Sequence, residues 1–377
     1  MTTLLAVGDL VLDEPDPDSF FEPSRRTLHG GDVVIGHVEV PHSTTTLQTS
    51  TDVPAPPADP AALGAVARAG FSVVTLAGNH IADAGPDGVL DTLRHAREHG
   101  LATAGAGASL AEARQPAVVR AGNHTVAVLS YNCVGPRESW ATSAKPGCAY
   151  VHVLTHYELD HASPGGPPNI YTFAEPGSLD AMRQDIAAAL ERADVVVVGL
   201  HKGIGHTPAV LAMYERPLAQ AAIDAGAHAV FAHHAHIMRG IEIHRGRPIY
   251  HGLGNFVTVT RALNATDDND SPERRAWARR RVELYGFAPD PDMPYYPFHP
   301  ESRNTVVASV EVDGGEVRAR LLPCRIDDRG RPVPVTRTSG GEEVVAYVRD
   351  ISRRAGLDTR FDWSGDDIVT ITQGEQR

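Results

Sequence analysis

The chain has 377 residues, 42% of them hydrophobic, and carries 34 Lys and Arg against 47 Asp and Glu, for a net charge of −13. This length suits one large domain or two modest ones, and the hydrophobic share is that of an ordinary globular protein. We expect no nucleic-acid partner, because binding a phosphate backbone requires clustered Lys and Arg and the chain shows no basic stripe.

The cysteines and the first apolar segment predict the compartment. Cys133, Cys148 and Cys324 are the three cysteines, and without a CxxC spacing they indicate reduced thiols rather than a disulfide framework. The apolar segment that begins at Leu4 lacks a basic flank and is interrupted by Asp9, unlike a signal peptide or an anchor. No other run approaches the ~18 apolar residues of a spanning helix. We therefore expect a cytoplasmic protein without a membrane partner.

Short apolar runs alternate with amphipathic stretches along the chain, a pattern typical of an α/β fold in which helices cover a sheet. The predicted strands are Leu4–Val7, Val33–Ile35, Ser72–Leu76, Thr125–Ser130, Val195–Leu200, Ala229–Ala232 and Ile249–Tyr250. The predicted helices are Pro60–Ala69, Gly88–Glu98, Ser178–Arg192 and Ala209–Ala225. Apolar residues in these helices recur at three- and four-residue steps, which suits burial of one face.

The last part of the chain predicts a hairpin and one more helix. Alternating residues in Thr305–Val312 and Glu316–Leu322 flank Asp313-Gly314-Gly315, and such a turn between two alternating runs is typical of a β-hairpin. The pattern over Glu342–Arg354 predicts a helix. These elements would extend the core built by the earlier strands.

The charged and polar stretch Asn264–Arg281 indicates a surface excursion or a lid over the site. We therefore expect one main domain over residues 1–330, with a lid or insertion at 260–304. Residues 331–377 would form a C-terminal extension.

Polar side chains follow five of the predicted strands. They are Asp9, then His37 and Glu39, then Asn79 and His80, then His201, and finally His233, His234 and His236. Ligands of open α/β sheets bind beyond the carboxyl ends of the strands, where such side chains would converge. Each residue alone fits a turn or a core histidine equally well. Together they offer the carboxylates, amide oxygen and imidazoles that bind divalent metals, and in an extended chain His234 and His236 would share one face.

The same residues resemble the ordered motifs of calcineurin-like metallophosphoesterases. These motifs are Gly8-Asp9, Gly78-Asn79-His80, His201 and His234-Ala235-His236. The residues around these motifs resemble the CapA, or poly-γ-glutamate synthesis, branch of that fold. The segments that carry this closer resemblance are Asp32–Pro41, Ala77–Gly85, Gly105–Gly107, Ala225–Val230 and Pro248–Phe256. The resemblance runs from about residue 4 to about residue 260, with a looser match to Pro323. It implies an α/β fold with central β-sheets flanked by helices, and a C-terminal hairpin and helix would extend it.

The resemblance implies a divalent-metal site and also shows departures from the family pattern. Its implied ligands are Asp9, Glu39, Asn79, His201, His234 and His236. The family's Asp-x-His opening reads Asp9-Leu10-Val11 here, the pair His37 and Glu39 replaces the second Asp, and Lys202 stands where CapA relatives often carry Trp. We therefore expect one ion with several waters rather than a bridged pair about 3.5–4 Å apart. The donor types admit Mn, Fe or Zn, and also Ca or Mg.

The resemblance also implies that His80 acts near the substrate. Asp83 lies three residues later, within reach across one helical turn, and a carboxylate behind a histidine raises its basicity. The alternative for Asp83 is a simple helix cap. His299, in the aromatic loop Tyr295–Glu301, is a second acid/base candidate that Asp13 would orient, although this loop also fits an ordinary surface segment.

Two acid/base groups beside a metal lead to three hypotheses. The leading one is epimerisation at Cα of a peptide's C-terminal residue, the reaction of a soluble CapA-like branch on lasso-peptide precursors, with a peptide as substrate partner. The alternative is a metal-dependent hydrolase of phosphoester or γ-glutamyl amide bonds in capsule-polymer metabolism. The third is a non-catalytic protein that binds an anionic polymer or peptide.

Overall fold

The structure is a computed structural model that describes residues 1–49, 56–263 and 271–374. Its strands are β1 Thr2–Leu12, β2 Val33–Val38, β3 Val73–Thr75, β4 Ala102–Ala104, β5 Ala106–Gly107, β6 Ala117–Ala121, β7 His124–Asn132, β8 Gly147–Cys148, β9 Val153–Glu158, β10 Asn169–Ala174, β11 Val195–His201, β12 Ala229–His233, β13 Ile241–His244, β14 Arg247–Tyr250, β15 Asn255–Val259, β16 Asn304–Asp313, β17 Glu316–Ile326, β18 Pro332–Pro334, β19 Thr359–Trp363 and β20 Val369–Gln373. Its α-helices are α1 Pro17–Phe21, α2 Arg25–Leu28, α3 Ala62–Arg68, α4 Gly85–Glu98, α5 Leu110–Ala113, α6 Pro176–Leu190, α7 Glu215–Asp224, α8 Pro272–Tyr285 and α9 Gly341–Arg354.

Two sheets pack face to face with helices outside both. The first has the order β19-β20-β17-β16-β1-β2-β3-β4, with β15 beside β1 and β18 beside β17, and the second has the order β13-β14-β12-β11-β7-β6. Side chains alternate between the two faces of each strand: Leu4 and Val195 enter the core between the sheets, whereas Leu5 and Val196 meet the outer helices. Helices α3 and α4 cover the first sheet, and α6 and α7 cover the second. The predicted α/β fold, with central sheets flanked by helices, is confirmed.

Strand β1 changes its neighbour halfway along its length. Its first half pairs antiparallel with β16, whereas the half that begins at Asp9 pairs parallel with β15. The change occurs at Gly8, where a Cβ atom would collide with the carbonyl oxygen of Gly254. Glycine therefore lets β15 approach closely enough for the Asp9 amide to donate to Gly254 O at 2.8 Å. The sheet therefore divides at Asp9, where β1 leaves β16 and pairs with β15 instead.

The C-terminal elements join the core that the earlier strands build. The predicted hairpin is confirmed as β16 and β17, and β20 adds to β17. The predicted helix Glu342–Arg354 is confirmed as α9, whose Val344, Val348 and Ile351 enter the core between the sheets. Residues 331–374 thus complete the first sheet and cover its edge.

Two other segments differ from their sequence predictions. The helix expected over Ala209–Ala225 begins only at Glu215, because the preceding residues form a loop whose Tyr214 hydroxyl accepts a hydrogen bond from the Gly203 amide. Of the stretch Asn264–Arg281, the part up to Asp270 lies outside the described residues, and the rest lies in helix α8. No helix in the described parts of the chain is both long and apolar enough to cross a membrane.

The position of α9 predicts that the C-terminal segment stabilises the whole chain. Ile351 is 1% exposed within the shared core, so Ile351→Ala should lower the free energy of unfolding by about 2–5 kcal/mol through lost contacts and a cavity. Arg353→Ala, on the exposed side of the same helix, is the matched control and should leave it nearly unchanged. Urea unfolding measures both. Equal stabilities for the two variants would contradict this placement of α9.

Candidate metal centre

The five strand ends expected to carry polar side chains meet between the two sheets. Asp9 lies in β1 at the split, and His37 lies in β2 with Glu39 just beyond its end. From the second sheet, β11 ends at His201. The neighbouring strand ends at His233, whose Nε2 lies 3.0 Å from Val7 O, so a hydrogen bond joins the two sheets beside the cluster.

The cluster offers donor atoms in three overlapping groups whose members lie within 4.8 Å of one another. The groups are Asp9, His37 and His201; Glu39, His201 and His234; and Asp9, Glu39 and His236. Four of their buried atoms have no partner among the described residues, namely Asp9 Oδ1, His37 Nε2, Glu39 Oε2 and His201 Nδ1, whereas Glu39 Oε1 lies 3.3 Å from His236 Nε2. Buried polar atoms are costly without a partner. Because these are oxygen and imidazole donors, the set fits a divalent metal ion.

The electrostatics of the cluster show the cost of placing two carboxylates together. Burial and the neighbouring charge of Glu39 hold the pKa of Asp9 well above its usual value. Burial opposes ionisation of Glu39 too, but the charge of His236 lowers the pKa of that carboxyl to about 2. The His236 pKa rises to about 9 despite burial, because Glu39 and Asp9 favour its protonated form. The protonated His236 therefore offsets part of the negative charge of Asp9 and Glu39. A bound cation would neutralise more of that charge.

His234 and His236 converge for a reason other than the one the sequence suggests. Strand β12 ends at His233, and φ is 93° at His234 and 52° at His236, both in the left-handed region. This conformation is strained for a residue with a Cβ atom. The two imidazoles thus reach the cluster through a tight turn, not through alternation along an extended strand.

Amide side chains orient two of the imidazoles. The predicted site residue Asn79 places its Oδ1 2.7 Å from His201 Nε2, which also lies 3.2 Å from His234 Nδ1. Asn255, at the start of β15, places its Oδ1 2.9 Å from His236 Nδ1. Partners of this kind fix the tautomer and orientation of a metal-binding histidine.

The ligand set implied by the resemblance left out His37, although its place after a predicted strand makes it a candidate, and no role for Asn255 followed from the sequence. His37 holds Thr75 Oγ1 at 3.0 Å through Nδ1, so Nε2 is the ring nitrogen that belongs to the cluster. Both residues stand in segments that carry the resemblance, but only His37 closely follows a predicted strand. The signal for His37 was its place after a predicted strand, the same signal that identified Asp9, whereas Asn255 begins β15, a strand that the sequence did not predict.

The predicted pair of His80 and Asp83 forms as expected. His80 Nδ1 and Asp83 Oδ2 are 2.6 Å apart, and both residues are buried. Helix α4 begins at Gly85 with Ala84 as its N-cap, so Asp83 is not that helix's cap. His80 lines a small cavity together with Asp13, Glu39, His236 and Phe298. The pair therefore lies at the edge of the metal cluster.

The predicted pairing of Asp13 with His299 is not found. Asp13 Oδ2 accepts a hydrogen bond from Thr260 Oγ1 at 2.8 Å, and burial raises the pKa of Asp13. His299 Nδ1 accepts from the Glu301 amide at 3.1 Å. Within the described parts of the chain, the two side chains thus bond to different partners. The aromatic loop instead presents Phe298 to the cavity, because His299 caps the short helical turn that follows.

Lys202, at the position where relatives often carry Trp, lies in a buried charge network behind the cluster. Its Nζ is 2.8 Å from Glu215 Oε2, and Arg239 Nη2 is 3.2 Å from Glu215 Oε1. All three side chains are 0% exposed. Although burial opposes it, the charges of Lys202 and Arg239 lower the pKa of Glu215. One carboxylate thus compensates two buried cations.

We expect Glu215→Gln to destabilise the protein by about 3–5 kcal/mol, because it leaves two buried cations without a countercharge. Glu98→Gln, on the exposed end of α4, removes the same charge and should leave the free energy of unfolding nearly unchanged. Denaturant unfolding of both variants measures the difference. A small effect at Glu215 would mean that water reaches the network.

The unpartnered donor atoms predict a large effect of metal on stability. Asp9→Asn should lower the bound metal, measured by elemental mass spectrometry, and abolish the rise in Tm that added metal produces. Asp13→Asn is the matched control, since Asp13 belongs to none of the three donor groups, and it should keep both properties. If Asp9→Asn bound metal like the parent protein, Asp9 would not be a ligand.

Several known proteins are similar to this chain. The capsule biosynthesis protein CapA of Bacillus anthracis is 27% identical over 197 residues, 51% of this chain and 41% of that protein. The PGA biosynthesis protein CapA of Bacillus subtilis is 32% identical over 188 residues, 50% and 42% of the two chains. A probable polyglutamine synthesis accessory protein of Mycobacterium tuberculosis is 31% identical over 192 residues, 49% and 44%. The matched region thus spans less than half of each relative.

Among solved structures, the calcineurin-like phosphoesterase YfkN of Bacillus subtilis aligns over 94% of this chain and 97% of its own, at 10% identity and a TM-score of 0.32. That score is too low to carry an argument. The family described as "Bacterial capsule synthesis protein PGA_cap" matches residues 3–260, more than half of the chain. The site described above lies within these residues, apart from the aromatic loop, and the chain belongs to the PGA_cap family.

Proposed function

We propose that the protein is a metal-dependent hydrolase that cleaves a phosphoester or a γ-glutamyl or other amide bond in a capsule-type, peptide-like polymer. The observation that carries this proposal is the set of four buried donor atoms without partners, which lies beside the cavity that His80 lines. Donors of this kind cost free energy unless they bind a cation, so retaining them favours a metal-dependent activity. The names of the relatives concern capsule and PGA biosynthesis and polyglutamine synthesis, which supports a polymer substrate.

The residues of this chain would divide the work between them. Asp9, His37, Glu39, His201, His234 and His236 would hold the ion, and Asn79 and Asn255 would orient the imidazoles. A bound divalent ion would supply positive charge that polarises the scissile group and activates water. His80 would donate a proton to the leaving group, and Asp83 would keep its imidazole oriented and basic.

A second candidate is Cα epimerisation of a peptide residue, and one observation favours it. His80 and Asp13 line the same cavity, and burial raises the pKa of Asp13, so two groups that exchange protons face one space. Inversion of a carbon next to a carbonyl needs such a pair on opposite faces. His299, the second group expected from the sequence, contacts Glu301 and Phe287 instead. The names of the relatives, which concern capsule and polymer synthesis, support the hydrolase better.

One experiment separates these two reactions. The metal-loaded protein and a chelated sample are incubated in D2O with γ-linked and α-linked glutamyl peptides and an aryl phosphate, and intact masses are read. Metal-dependent fragments or phosphate release support the hydrolase. A metal-dependent gain of about one mass unit without cleavage overturns it in favour of epimerisation. Binding without either change overturns both and supports a binding protein.

Both reactions predict a strong effect at His80. His80→Gln should lower kcat by about 10²- to 10⁴-fold, the usual contribution of a general acid or base, while metal content stays at the parent level. Asp83→Asn should lower kcat less and shift the pH profile, because the imidazole remains and only its orientation and basicity change. Full activity in His80→Gln would remove His80 from the mechanism.

A further inference from the structure

A second, larger cavity lies against the metal cluster and is not used by the steps proposed above. Its volume is about 710 Å³, and Asn79 and His234 of the cluster form part of its wall. The rest of the wall comes from the loop after β7, the base of the hairpin β9–β10, the segment around Gly203 and Tyr214, and Tyr285 of α8. A chain bound in this cavity would therefore reach the metal cluster at one end.

The charge of this cavity is unlike that of the whole protein. The chain carries a net charge of −13, yet none of the described residues that line the cavity is Asp or Glu. The lining includes Arg137, His152 and His234. An acidic protein that keeps carboxylates out of its largest site-adjacent cavity presents a surface complementary to an anion.

Arg137 is held in place without a carboxylate partner among the described residues. Its Nη2 donates to His152 Nε2 at 3.2 Å, and its Cζ lies 5.7 Å from the centre of the Trp140 ring. The Trp140 ring in turn stacks on Tyr150, with centroids 4.2 Å apart. Arg137, Trp140 and His152 also border a neighbouring cavity whose wall includes Glu175, and there it is Arg114 that makes a two-pronged salt bridge, to Asp185 at 2.7 Å. Arg137 therefore retains the donors that bind a carboxylate in pairs.

The loop that carries Arg137 is anchored at the same sheet edge as the metal cluster. It follows Asn132, which is 0% exposed and pairs in register with His201 of β11. Asn132 Nδ2 donates to Gly135 O at 3.0 Å, and Asn132 Oδ1 accepts from the Val134 amide at 2.9 Å. A loop fixed in this way loses little conformational freedom when a ligand binds.

We propose that Arg137, Trp140 and His152 form a subsite that binds a carboxylate of a peptide-like substrate, one unit away from the bond that reacts at the metal cluster. The substrate class in this inference rests on the proposed function, whereas the subsite itself rests on the contacts of Arg137 with His152 and Trp140. Arg137 would bind the carboxylate through two N–H groups while the Trp140 face supports its guanidinium. A repeating glutamyl chain carries such a carboxylate on every unit.

The test measures binding to the metal-loaded full chain by calorimetry. The probes are a γ-linked glutamyl pentapeptide, the same peptide with its carboxylates converted to amides, and inorganic phosphate. Arg137→Gln should weaken binding of the acid peptide by about 10- to 100-fold, the factor typical of hydrogen bonds to a charged group. Arg137→Lys should recover part of that loss, because it restores the charge but not the paired donors. Arg97→Gln, on the exposed surface of α4, is the control of equal charge change and should bind like the parent protein.

Three results would overturn the subsite: equal binding by Arg137→Gln and Arg97→Gln, equal binding of the acid and amide peptides by the parent protein, or displacement of the acid peptide by phosphate at equal concentration.

The outcomes also separate this inference from the proposed function. Binding that depends on Arg137 without cleavage supports the subsite and removes the hydrolase. Cleavage with the same KM in Arg137→Gln supports the hydrolase and removes the subsite.

Discussion

The burial of two carboxylates beside each other is the constraint on which the rest of the site depends. Asp9 and Glu39 are 0% and 1% exposed. The hydrogen bonds that the surrounding residues donate to them do not compensate the charges of both carboxylates. The cost of such burial falls only if protons or cations enter the same space. Within the chain itself, His236 supplies one positive charge at 3.3 Å from Glu39. A metal ion bound there would take the place of the His236 proton, because a ligating imidazole is neutral, so that metal binding and stability are two aspects of one requirement.

The double sheet makes this arrangement possible because it brings two sets of strand ends to one place. The carboxyl ends of the parallel strands in the first sheet lie close to those in the second sheet. Carboxylates from the first sheet therefore meet imidazoles from the second. The hydrogen bond between His233 and Val7 O joins the sheets at that point. The split of β1 between β16 and β15 also opens there, and it brings Asn255 beside His236. Rigid strands can thus hold donors that would repel one another on flexible loops.

Charges farther from the cluster are arranged by the same principle of compensation. Behind it, Glu215 balances Lys202 and Arg239 in a region without solvent exposure. Beside it, the large cavity keeps Arg137 without a carboxylate partner among the described residues. The first network closes on itself and so contributes to stability, whereas the second leaves a cation available to a ligand. If the proposed subsite binds a carboxylate, this acidic chain would attract an anionic ligand at one place while repelling it elsewhere.

The sequence by itself determined the layered α/β fold, the strand ends that carry donors and the His80–Asp83 pair, because these follow from local periodicity and short spacing. Only the tertiary structure decided that Asn255 belongs to the site and that Glu215 neutralises Lys202. It also decided that Phe298, not His299, faces the cavity. For His37, already a candidate from its strand end, the structure decided which ring nitrogen joins the cluster. These facts depend on contacts between residues far apart in the chain, and on a cap and a left-handed turn at single residues. Periodicity reports which face of an element is buried, but not which distant side chain it meets there.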